Sequence, residues 1–150
     1  MSRLRYPVPV VGSGRGLLLL SAAREVAMTV GPERIKTRRI YEPKADADGA
    51  RLLVDRIWPR GVSKEHAALD AWLKDVAPSN ELRHWFNHEP KRWEEFCRRY
   101  TSELQQKGEE VSQVLDFAKK GNVTLLYAAS DDEHNNAIAL RAFLIQCILG

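Results

Sequence analysis

At 150 residues, 44% hydrophobic and 29% charged, the chain has the length and composition of one globular domain with a substantial core. Nine glycines and seven prolines are too few for a linker or low-complexity chain, and no apolar run approaches the roughly 18 residues that span a bilayer. The net charge of +3 suggests nucleic acid, yet residues 1–27 supply four basic residues against one acid, leaving 19 of each in residues 28–150.

Residues 1–27 read as a flexible N-terminal extension, with Met28 as an alternative start, ahead of an α/β domain over residues 28–150. A secretory signal is disfavoured because Arg15 and several glycines interrupt the apolar core. The Gly12-Ser13-Gly14-Arg15-Gly16 turn lacks the third glycine of a dinucleotide fingerprint, with Leu17 in its place. Residues 35–41 are β-rich and predict a strand, and Asp48-Gly49 predicts a turn before a second strand over residues 51–58 whose far end becomes polar. Ser63 is placed to cap a helix carrying Leu69, Trp72, Leu73 and Val76, which Pro78 ends. Ser79 caps a shorter one with Leu82, Trp85 and Phe86. Trp93, Phe96, Cys97, Tyr100 and Leu104 then recur at helical spacing up to Gly108, which closes that helix. The next helix presents Val111, Val114, Leu115 and Ala118, with Gly121 as its stop. Residues 123–128 are short, continuous and apolar, the pattern of a strand covered on both faces, and a last helix runs over about residues 133–149. These elements predict an α/β fold: a small, largely parallel β-sheet covered by helices in a single domain.

Ligands of open α/β sheets bind beyond the carboxyl ends of the strands, which singles out two loops. In residues 55–61, Asp55, Arg56, Trp58 and Arg60 combine an acid, two guanidinium groups and an indole, suited to holding an anion against a flat wall. An Asp55–Arg56 structural ion pair with Trp58 in the core is the alternative. In residues 130–136, Ser130-x-x-Glu133 reads as a capping box. Capping does not account for Asp131, His134, Asn135 and Asn136, a group suited to orienting a polar ligand, with His134 and Asp55 as candidates for proton transfer. No metal site is expected there, since adjacent residues cannot all converge on one ion. The His84/His88 pair has zinc-like spacing but lacks the adjacent glutamate and a third ligand, so it reads as a surface or edge pair. Cys97 and Cys147 form no ligand cluster and have no neighbouring base; a reducing cytoplasm is the expected compartment, and no particular cofactor is indicated. The basic residues Lys36, Arg38 and Arg39, and Lys91, Arg92, Arg98 and Arg99, are the candidates for nucleic-acid contact, but Glu94, Glu95 and Glu103 are interleaved with the second group.

Residues 51–64 (Arg-Leu-Leu-Val-Asp-Arg-Ile-Trp-Pro-Arg-Gly-Val-Ser-Lys), the aromatic block over residues 70–103 and residues 125–137 (Leu-Leu-Tyr-Ala-Ala-Ser-Asp-Asp-Glu-His-Asn-Asn-Ala) together resemble the YeaO-like branch of domain-of-unknown-function family 488. The resemblance covers about residues 29–144 and implies a small cytoplasmic bacterial α/β protein without an established activity. Longer members of the wider family carry a Cys-His-Arg triplet where this chain has Asn135-Asn136-Ala137, so chemistry that depends on that cysteine is closed to it. The residues favour a small anionic or polar ligand, enzymatic or not, at the two loops. The alternatives are a nucleic-acid-binding or regulatory module on the basic faces and a non-catalytic interaction protein.

Overall fold

The computed structural model describes residues 31–150; the expectations for residues 1–27 and for Met28 lie outside the described residues. Strands β1 (Ile35–Arg39), β2 (Ala50–Leu53), β3 (Ala71–Trp72) and β4 (Val123–Tyr127) form one all-parallel sheet in the order β1-β4-β2-β3. The helices are α1 (Lys64–Ala67), α2 (Asn80–Phe86), α3 (Trp93–Gln105), α4 (Gly108–Lys120) and α5 (Asn136–Leu149). The architecture is the expected α/β one. No helix among the described residues is long and apolar enough to cross a membrane.

All five residues of β4 are buried, which is why this strand is apolar without alternation. Ile35, Leu52, Val54, Val123 and Leu125 belong to the larger core, packed with the Trp93, Phe96, Tyr100 and Leu104 stripe of α3 and the apolar faces of α4 and α5. Residues of opposite parity, Ile40, Leu53 and Leu126, form a smaller core with Ala67 of α1, flanked by Trp58, Val62 and Leu69. Helix α5 is apolar nearly all round because it is largely buried, and its one charged residue, Arg141, donates from Nε to the Ile35 carbonyl at 2.6 Å.

Beneath the smaller core lies a polar cluster. Arg51 is fully buried and donates to the Asp48 carboxylate and the Ala67 carbonyl, while Arg38 reaches the other Asp48 oxygen. Burial alone would raise the Asp48 carboxyl, but the Ala45 N–H, Arg51 and Arg38 together hold it below its ordinary value. The Asp48-Gly49 turn forms as expected. Gly49 has φ 64° and ψ −136°, and a Cβ there would lie 2.2 Å from the Asn122 carbonyl oxygen, so the position requires glycine.

Several sequence expectations need correction, among them the last helix, which begins at Asn136 and not near Glu133. The helix expected to carry Leu69, Trp72, Leu73 and Val76 stops after one turn at Ala67, with Ala68 left-handed at φ 48°. Asp70 bonds the Arg51 backbone in both directions, and Ala71 and Trp72 pair with Leu52 and Leu53, so sheet pairing overrides the helical spacing. The second strand ends at Leu53 rather than running towards Trp58. Gly108 begins α4 instead of closing α3.

Candidate functional site

Because the sheet is wholly parallel, the segments leaving β2 and β4 emerge side by side at one end. There they line a cleft of about 530 Å³ with the C-terminal half of α2. Asp55, Arg56, Trp58, Arg60, His134, Asn135 and Asn136 all line it. Asp131 does not, and acts by holding His134.

On the β2 side, Asp55 Oδ2 accepts the Ala128 N–H at 2.9 Å, and its carboxylate is also bonded by Asn136. Burial raises the Asp55 carboxyl above its usual value, although the Ala128 N–H, Asn136, Arg83 and His88 pull the other way. Arg56 does not pair with Asp55. Its Nε and Nη2 donate to the Pro78 and Ala77 carbonyls, both at 3.2 Å, fixing the chain ahead of α2. The Trp58 indole N–H donates to the Val62 carbonyl at 2.8 Å and its ring meets Trp72 edge-on, so the indole is a fixed wall. Arg60 sits on the Pro59-Arg60-Gly61 turn, where Gly61 has φ 76°. Its backbone carbonyl accepts from Tyr41, while its guanidinium has no protein partner among the described residues.

On the β4 side, the Ser130/Glu133 capping box does not form. Asp131 Oδ1 instead accepts the Glu133 and His134 N–H groups, and Asn135 caps α5 by accepting the Ile138 N–H at 3.0 Å. The Asn135 amide also donates to the Asp131 carbonyl at 2.9 Å, leaving this residue 3% exposed. Asn136 donates to the Val54 carbonyl at 2.8 Å and thereby ties α5 to the end of β2. His134 Nδ1 lies 2.9 Å from Asp131 Oδ2, and the ring stands edge-on to Trp93 at 5.3 Å. The Glu133 N–H, against the cost of burial and with help from His134, holds the Asp131 carboxyl below its ordinary value. A carboxylate on one nitrogen fixes the orientation of an imidazole, as in a base–orienter pair.

The third wall was not assigned from sequence. Arg83, His84, Phe86, Asn87 and His88 of α2 and its C-terminal turn line the cleft; His84 and His88 are both exposed, as expected of a surface pair, and the surface they occupy is that of the cleft. The i, i+4 histidine spacing was the available signal; Arg83 offered none. Among the described residues, three arginines and three histidines line the cleft with one carboxylate, Asp55, and no serine, threonine, cysteine, tyrosine or lysine does so. Cys97 and Cys147 are buried in the core, which pushes both thiols up to about 12. Among the described residues, no three His, Cys, Asp or Glu side chains group as metal ligands.

The family model described as "Inactive DUF488-N3 subclade" matches residues 34–149. The uncharacterized protein YeaO of Escherichia coli (strain K12) is 43% identical over 110 residues, which cover 73% of this chain and 96% of that protein. An uncharacterized protein of Mycobacterium tuberculosis (strain ATCC 25618 / H37Rv) is 51% identical over 71 residues, 47% of this chain and 60% of its own length. No solved structure matches the chain.

Proposed function

Because the chain belongs to the inactive DUF488-N3 subclade and is a YeaO-like member of family 488, we propose that it binds a small anionic ligand in the cleft without turning it over. The observation that carries this reading is the charge of the lining: among the described residues, three guanidinium groups, of which only that of Arg56 is committed to backbone carbonyls, around a single carboxylate. Guanidinium groups recognise carboxylate and phosphate oxygens through paired N–H donors, and a half-enclosed cleft of this size suits a small molecule. Turnover is disfavoured by the residues themselves. Asn135 is spent as a helix cap, the thiols are buried outside the cleft lining with their titration pushed up to about 12, and among the described residues the Asp131–His134 pair has no hydroxyl or thiol in the cleft to activate.

A nucleic-acid role receives less support. On α3, Arg98 and Arg99 lie near Glu95, and Arg99 and Arg92 also flank the Trp85 ring, so the basic residues are locally occupied. Two-dimensional NMR of the full chain, titrated with small carboxylates and phosphate esters and separately with duplex DNA, tests the two readings. The small anions should shift signals of Trp58, Ala129 and His134, and added salt should weaken them. DNA-induced shifts along α3 with a silent cleft would overturn the proposal.

A further inference from the structure

We propose that the α2 wall, at Arg83, His84 and His88, holds the charged end of the ligand, and that the ligand is an oxyanion carried on a flat apolar body. This deepens the anion-site reading and rests on it. It adds where the charge sits and what the rest of the molecule is.

Arg83 supplies the first observation. One guanidinium nitrogen, Nη2, donates to Asn80 Oδ1 at 3.2 Å, but Nε is sealed from solvent and has no acceptor. Buried donors are almost always satisfied, so an unpaired one in a residue lining a cleft marks a place for an acceptor. Adjacent guanidinium N–H groups take two oxygens of a carboxylate or phosphate side by side; because Nε is sealed in this structure, the Arg83 side chain must shift for its Nε–H edge to meet a ligand. Asp55 does not fill this role, because its carboxylate accepts from Ala128 and Asn136 instead.

The backbone supplies the second. Asn87 and His88 are consecutive non-glycine residues in the left-handed region, with φ 46° and 55°. The turn is closed by the Asn87 N–H to the Arg83 carbonyl and the Glu89 N–H to the Phe86 carbonyl. Such a conformation is costly away from glycine and tends to be kept where it positions a functional group. Here it brings His88 into the cleft, on the same side as Arg83, with both groups acting electrostatically on Asp55.

The third is the apolar surface beside these groups. Phe86 and Phe96 underlie the cleft, stacked with centroids 4.5 Å apart and planes at 29° and backed by Trp93, but at 6% and 2% exposed they are core residues that show it little surface. The accessible apolar wall is given by the fixed Trp58 indole with Ile57 and Ala128, a surface suited to a flat ring.

The test uses benzoate and phenyl phosphate as probes, with benzamide as the neutral counterpart of benzoate and acetate as the charge without the ring. Dissociation constants of the full chain are read from NMR shifts of cleft signals. Both aromatic anions should bind at least tenfold more tightly than benzamide or acetate. Arg83→Gln should weaken them at least tenfold, and Arg83→Lys, which keeps the charge but loses the Nε–H, at least threefold. Arg98→Gln, on the exposed face of α3, should leave binding unchanged. Should Arg83→Gln fail to fold, His88→Asn keeps a residue that tolerates the left-handed turn and should weaken binding at least threefold. Anion binding in the cleft that ignores both Arg83 and His88 overturns this inference while leaving the anion site in place. Benzamide binding as tightly as benzoate overturns the oxyanion, and acetate matching benzoate overturns the flat body. If no probe moves any cleft signal, the anion-site reading itself falls.

Discussion

Replacing Asn135 by alanine should cost about 2–3 kcal/mol of folding stability, because this side chain is structural and not a ligand contact. Two bonds are lost: the 3.0 Å cap from the Ile138 N–H and the 2.9 Å donation to the Asp131 carbonyl. Loss of an N-cap costs ~1 kcal/mol. Stripping a donor from a carbonyl beside a residue only 3% exposed adds ~1–2 kcal/mol, towards the lower end because Asp131 is itself half-buried. For a chain of this size the melting temperature should fall by roughly 4–12 °C. Asn135→Ser restores the capping oxygen but not the amide donor, so it should recover about 1 kcal/mol. Urea unfolding followed by tryptophan fluorescence at neutral pH measures both, with an unchanged slope showing that the native state is otherwise intact. An alanine variant within ~0.5 kcal/mol of wild type would refute the capping role, the range expected of an uncommitted surface residue.

Arg56 and Arg60 should separate sharply in the same assay. Arg56→Ala leaves the Pro78 carbonyl without its guanidinium donor and should cost ~1–3 kcal/mol, whereas Arg60→Ala should stay within about 0.5 kcal/mol; equal effects would contradict the roles assigned to them. Asp48→Ala strands the buried Arg51 charge and should cost ~3–5 kcal/mol. The pH dependence follows from the lowered Asp48 carboxyl: its stabilisation is complete above the unfolded value near 3.8 and is lost as pH falls through the lower folded value. Unfolding midpoints between neutrality and acid should therefore show a shallower acid limb in the Asp48→Ala variant than in wild type, and parallel limbs would count against the cluster. Both thiols should stay unreactive towards an aromatic disulfide reagent at mildly alkaline pH until the chain is unfolded, when both titrate; fast reaction of either in the native state would contradict their burial.

Elements whose signal is local were legible in the sequence. The unbroken apolar run of β4 required cover on both faces, and the α3 stripe from Trp93 to Leu104 packs as its spacing implied. β3 was invisible because two residues cannot show alternation, and only their pairing with Leu52 and Leu53 makes them a strand. The site followed the same division. Strand ends marked the 55–61 and 130–136 loops, but the side-chain roles depend on partners far along the chain. Arg56 is committed to carbonyls at 77 and 78, and Asn136 to the carbonyl of Val54, neither of which any motif announces. Arg83 and His88 enter the cleft only because α2 packs against α3 and ends in a left-handed turn.

The central claim, that the cleft takes an anion between the two strand-end loops and α2, is tested most directly by a crystal structure of the chain soaked with phenyl phosphate. Phosphate density is expected against Arg83 and His88, with the ring against the Trp58 indole. Phosphate bound elsewhere on the surface, with the cleft filled only by water at a saturating concentration, would contradict it.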